Sequence, residues 1–166
     1  IVESELSLPK AKRSRDRIEL CLKKLLENNH FLHGFGVLFE RDEFDGRDDD
    51  LVQDTSPTYL NGRFIPYTER TSGGIVFRQL RVIDDESKNE WYRKPFVERK
   101  TLLLSPYWSS NDTDKKLHAT IAIPIFNKGR TIGVLNADID VSFIQEILTS
   151  FAGKGKEDFK LIYAND

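Results

Sequence analysis

Methionine is absent from the 166 residues, and cysteine occurs once, as Cys21. A single cysteine excludes an internal disulfide framework. Its place between Leu20 and Leu22, in a helical pattern, marks it as a small helix residue rather than a reactive thiol. Long apolar runs are missing too: no stretch approaches the roughly 20 residues that span a bilayer, and no secretory leader pattern is present. The sequence opens at Ile1 inside a polar segment, so the expectation is a piece of a longer protein, with membrane segments flanking it. Neither sign of charge dominates. The 25 basic and 27 acidic side chains give a net charge of −2, which excludes the basic surface that nucleic acid or an anionic lipid surface requires. Nucleophile elbows, P-loops, dinucleotide fingerprints and zincin motifs are lacking. Neither catalysis nor a cofactor is therefore expected.

What is present suits one globular domain with its own core. Hydrophobic residues make up 39% and charged residues 31% of the chain, and there is no internal repeat or boundary. Residues 5–29 read as a long helix. Ile18, Leu22, Leu25 and Leu26 fall at i, i+4, i+7 and i+8, Pro9 moves the start to about residue 10, and Asn28 and Asn29 end it. Residues 35–40 form a β-rich run. The segment 51–74, with Pro57, Gly62, Pro66, Gly73 and Gly74, reads as an irregular excursion. Ile75–Ile83 alternates as a strand, and Ser87 is placed to cap a short helix through Trp91 and Tyr92 to about Arg99. Leu102–Trp108 and Leu117–Phe126 follow as strands. Asn127-Lys128-Gly129-Arg130 makes a tight hairpin turn into the strand Thr131–Ile139. Asp140 or Ser142 caps a helix reaching Phe151, Gly153 and Gly155 stop it, and Phe159–Tyr163 is a last strand. Hairpin-linked strands with helices between them make an α+β domain with an antiparallel sheet.

Two clusters invite a metal reading and do not support one. Asp42, Asp45, Asp48, Asp49 and Asp50 resemble a calcium loop, but counting from Asp42 puts Phe44 at position 3 and Gln53 at position 12, where oxygen ligands are needed. The run is expected to be solvated and exposed. His30 and His33 sit near a helix C-terminus, compatible with its dipole, and with His118 they lack ligand spacing.

The stretch Thr120-Ile-Ala-Ile-Pro-Ile-Phe, then Asn127-Lys-Gly-Arg, then Thr131-Ile-Gly-Val-Leu-Asn-Ala-Asp-Ile resembles the signature hairpin of double-Cache sensor domains. Trp91-Tyr92, Ser105-Pro106-Tyr107, Phe44-Asp-Gly-Arg-Asp48 and Gly62-Arg-Phe-Ile-Pro-Tyr67 match the same family in order and spacing. The resemblance covers about residues 18–165. It implies a PAS-like fold, a central antiparallel sheet of about five or six strands with a long N-terminal helix at about 10–29 and a core over about 35–164. The whole chain would be one membrane-distal-type sensor module. The function implied is extracytoplasmic small-molecule sensing for a transmembrane histidine kinase or chemoreceptor, with a homodimer through the long helix. A dimerisation module with a vestigial pocket and an intracellular PAS- or GAF-like regulatory domain are the alternatives.

Within that resemblance Trp91, Tyr92, Tyr107 and Asp138 take the places that line the ligand pocket of amino-acid-sensing members. Aromatic faces enclose a cation, and a carboxylate pairs with it. The amino-acid pattern also has an Arg two residues before the Trp and a Tyr further back, where this chain has Asn89 and Asp84. Asn cannot supply the bidentate grip on a carboxylate. An amine without an obligatory carboxylate therefore fits better than an α-amino acid, unless Arg70 or Arg78 brings that charge from another loop. Asn61, Arg63, Tyr67 and Arg70 itself read as loop-fixing contacts more than as ligand contacts.

Overall fold

The computed structural model describes residues 2–80, 89–108 and 117–152. Asp84, Ser87, the glycines expected to stop the last helix and the strand expected at 159–163 lie outside them.

A short helix α1 (Val2–Leu6) is followed by a single 3-10 turn and then by α2 (Arg15–Asn28). The long helix thus begins at residue 15, five residues later than the periodicity predicts. Pro9 breaks the first segment, Arg13 is extended, and the Ser14 side chain accepts a bond from the Arg17 amide as the true N-cap. Ile18, Leu22 and Leu26 form the buried stripe of α2. Asn28, as expected, is its last residue. Its final carbonyls accept from the Asn28 and Asn29 side-chain amides and from Arg70.

The strands are β1 (Leu32–Phe39), β2 (Tyr59–Leu60), β3 (Arg63–Phe64), β4 (Tyr67–Thr71), β5 (Gly74–Phe77), β6 (Leu102–Leu103), β7 (Tyr107–Trp108), β8 (Leu117–Asn127) and β9 (Arg130–Asp140), with helices α3 (Glu90–Glu98) and α4 (Val141–Ala152). One antiparallel sheet runs β5-β4-β1-β9-β8-β6, with β7 also paired to β8. This makes seven strands among the described residues rather than five or six, because Ser105-Pro106 splits the expected strand 102–108 into two short pieces on the same neighbour. The hairpin β8–β9 closes Asn127 against Arg130. Lys128 and Gly129 both have positive φ (48° and 79°), as a two-residue turn of the right twist demands. The segment 51–74 is more ordered than its composition suggests: it holds the small β2–β3 hairpin and β4, a full member of the sheet.

Alternation along β1 and β9 sends side chains to two faces. One face carries Val37 and Phe39, joined by Ile132 where a register shift against Ile125 and Phe126 interrupts the alternation of β9, and packs on Ile18 and Leu22 of α2, with Phe44 and Phe64. The other carries Leu38, Val134 and Ala122 and packs on Ile65 and Tyr92, with Trp91 and Phe96 of α3 beside them.

Below α2 the loop after β1 is anchored by charge. Asp45 and Asp48 are buried, not exposed as the Asp-rich composition suggests. Both reach Arg15, the first residue of α2, each at 2.6 Å from Nη2. Arg15 also donates to the Gly62 carbonyl and lies over the Tyr59 and Phe64 rings. Burial pushes the Asp45 carboxyl up, but the Arg15 bonds outweigh it and hold it below its ordinary 3.8. The acidic run is therefore divided: Asp49 and Asp50 are solvated, while Asp45 and Asp48 fix a loop. Among the described residues no group of three acidic, His or Cys side chains is placed to hold a metal ion.

Candidate functional site

The face of the sheet under α3 turns from apolar to polar along its strands. Past Leu38, Val134 and Pro124 come Gly36, Asn136 and Ala122, then Gly34, Asp138 and Thr120, with His118 further along β8, as the pairings Gly36↔Asn136, Ala122↔Asn136, Gly34↔Asp138 and Thr120↔Asp138 place them. Asp138 is 6% exposed. Its Oδ2 accepts from the Tyr67 hydroxyl at 2.5 Å. Its Oδ1 accepts from the Thr120 hydroxyl and, at 3.4 Å, from the Tyr107 hydroxyl. All three donors are neutral. Burial, and then the adjacent Asp138 charge, push the Tyr67 phenol well above its ordinary 10, and the same two causes raise Tyr107. Both therefore stay protonated and donate. Among the described residues no cation lies within ion-pair distance of Asp138.

Tyr67 reaches Asp138 by lying across β1. A Cβ on Gly34 would stand 1.9 Å from its hydroxyl oxygen, and one on Gly36 2.7 Å from its ring. The two glycines are thus the shelf on which the ring rests, a close approach that any side chain would block. Further along the same face, the buried His33 and His118 rings stack at 4.0 Å. His33 Nε2 lies 3.5 Å from Glu69, which accepts from Arg78 Nε at 2.6 Å.

The residues singled out from the sequence are distributed as follows. Asp138 and Tyr107 meet at one carboxylate. Trp91 lies half-buried beside the apolar part of the same face, and its ring meets that of Tyr92 edge-on at 6.1 Å. Tyr92 is buried behind it, its hydroxyl held between Arg63 and Glu40. Asn89, just before α3, is buried. Arg70 is elsewhere: its guanidinium donates to the carbonyls of Leu26, Asn29 and Leu32, so it closes the end of α2 instead of facing Asp138. Arg78 is engaged with Glu69. Asp84 lies outside the described residues.

Three features escaped sequence reasoning. Tyr67, read as a loop-fixing residue, donates its hydroxyl to Asp138 at 2.5 Å. Thr120 is directly opposite it. His33, read as a helix-end residue, is a strand residue stacked on His118. The one signal available for Tyr67 was the pair Gly34 and Gly36 at spacing two, which clears a track across a strand.

The chain has relatives among known proteins. Residues 18–146 match the family model of the methyl-accepting chemotaxis protein-like first PDC sensor domain. The chain belongs to that family, so the resemblance read from the hairpin and aromatic motifs holds, and the domain is of a ligand-sensing rather than a catalytic kind. It is 26% identical over 144 residues to the methyl-accepting chemotaxis protein TlpQ of Pseudomonas aeruginosa, covering 80% of this chain and 20% of that receptor. Among solved structures it is similar to the extracellular domain of mmHK1S-Z3, described as a histidine kinase, with a TM-score of 0.71 and 27% identity, over 89% of this chain and 51% of that one. The ligand-binding domain of the Campylobacter jejuni chemoreceptor Tlp3, in complex with L-valine, shares the fold at a TM-score of 0.56 and 16% identity, over 89% and 51%. The chain thus spans about half the length of these structures and a fifth of the curated receptor. No described helix is long and apolar enough to cross a membrane.

Proposed function

We propose that this domain is the extracytoplasmic ligand-recognition module of a membrane-anchored receptor, a chemoreceptor or histidine kinase, and that it holds an ammonium-bearing small molecule against Asp138. The observation that carries this is a buried carboxylate whose described donors are three neutral hydroxyls. Burying a charge without a counter-charge is costly, and an incoming ammonium removes that cost. Trp91 and Tyr107 supply aromatic faces for the same cation.

Two facts favour an amine over an α-amino acid. Asn89 replaces the guanidinium that would grip a carboxylate, and the two arginines able to replace it are engaged elsewhere, Arg70 at the end of α2 and Arg78 at Glu69. Binding would act by favouring one of two conformations of the full receptor. Self-association through α2 belongs to the same proposal: Leu20, on its outer face, is 60% exposed.

The test is calorimetric titration with a panel of primary amines, amino acids and carboxylates, on the wild type and on Asp138→Asn. Amines are expected to bind, and Asp138→Asn to abolish that binding while the melting temperature holds. Amine affinity that survives Asp138→Asn overturns the assignment. Sedimentation equilibrium of wild type against Leu20→Glu tests the dimer.

A further inference from the structure

The floor around Asp138 contains a second polar group with no role in the reading above. Asn136 lies two residues before Asp138 on β9, so the pleat sends both side chains to the same face. It is 4% exposed. Its Oδ1 is buried and has no hydrogen-bond partner among the described residues. The residues paired with it across the sheet are Gly36 and Ala122, neither of which has a polar side-chain atom to offer. Its neighbours on that face are differently placed: Asp138 and Thr120 are bonded to each other, and Tyr67 to Asp138. Buried polar atoms are nearly always bonded, and one that is not calls for a reason.

We propose that Asn136 Oδ1 is a second ligand acceptor, which reads an N–H or O–H donor that the ligand carries at a fixed distance from its ammonium. This rests on the assignment of the ammonium to Asp138. Two residues along a strand advance roughly 6–7 Å, so the ligand class is a short amine with a second, uncharged donor about that far away. A chain of about four carbons between the two polar atoms reaches that span. A simple monoamine would leave Asn136 as it stands.

The probes are 4-aminobutan-1-ol and n-butylamine, which differ by the one hydroxyl group, titrated by calorimetry against wild type, Asn136→Leu, Asn136→Ala and Asp138→Asn. Wild type is expected to bind the amino alcohol about fivefold or more tighter than the monoamine, the worth of one ordinary hydrogen bond. Asn136→Leu and Asn136→Ala should bind the two probes alike. The Leu variant should melt no lower than wild type without ligand, because it removes an unmade acceptor at nearly constant volume. Asp138→Asn should lose both probes. If wild type binds the two probes alike while Asp138→Asn loses both, the role of Asn136 is overturned and the amine reading stands. If wild type binds neither, both are overturned. If both Asn136 variants melt far below wild type, Asn136 is a structural residue and the proposal fails.

Discussion

Two buried polar clusters lie on opposite faces of one sheet, and they are finished to different degrees. On the α2 face, Arg15 meets Asp45 and Asp48 and the Gly62 carbonyl, so charge answers charge. On the α3 face, Asp138 is surrounded by hydroxyls with no described cation, and Asn136 keeps an unmade acceptor. The first cluster is complete in the protein alone. The second leaves a carboxylate without a described counter-charge and an amide oxygen without a described donor. Burial is the same in both; what differs is whether a described counter-charge stands beside the buried carboxylate.

The comparison breaks most visibly at Arg15. Arg15→Met leaves two buried carboxylates without their cation, and removing one partner of a buried pair costs about 3–5 kcal/mol. Urea unfolding is expected to show that loss, while the folded fraction binds amine as before. Acid acts on the same contact. Asp45 titrates below 3.8 in the folded protein, so its contribution is fully present above about pH 4, where the unfolded carboxyl is also ionised. It is lost as the pH falls through the lower, folded value. Unfolding midpoints measured from pH 6 down to pH 2 should fall for wild type, and less steeply for Arg15→Met.

At the other cluster Asp138→Asn should act on binding instead of stability. Truncating one partner of a buried charge pair costs about 2–5 kcal/mol of affinity, at least about tenfold. Calorimetry and thermal melting of the same sample separate the two effects, and a collapse of the melting temperature would make Asp138 as structural as Asp45. Gly34→Ala sharpens the contrast further. The new methyl would sit 1.9 Å from the Tyr67 oxygen, so Tyr67 must leave Asp138, with an overpacking cost of about 1–3 kcal/mol. Ultraviolet titration of the phenols should then show the Tyr67 ionisation moving down toward ordinary values. Tyr92→Phe is the smallest change. It removes a hydroxyl held between Arg63 and Glu40, worth about 1 kcal/mol, and should leave ligand affinity unchanged because Tyr92 lies behind the site.

Much of the scaffold could be read directly. The β8–β9 hairpin follows from alternation on both sides of Lys128-Gly129, and the buried stripe of α2 from Ile18, Leu22 and Leu26 at period four. Both are local patterns in which neighbours in sequence are neighbours in space. Asp138 and Tyr107 were legible as a pair through the resemblance of their surroundings to a known family. The place of Arg70 was not, because its length lets it serve either a ligand or a helix end. Only the packing of β4 beside α2 sends it to the carbonyls of Leu26 and Asn29.

By itself, then, the sequence determined the elements with short-range periodicity, the turn that requires positive φ at two successive residues, the α+β class and the family. Tertiary structure alone decided which acidic side chains are buried, that Tyr67 crosses two glycines to reach Asp138, and that His33 lies on His118. The reason is separation along the chain. Asp45 meets Arg15 from 30 residues away and Tyr67 meets Asp138 from 71. Over such distances residue type states only what a side chain could bond, and the register of the sheet chooses what it does bond.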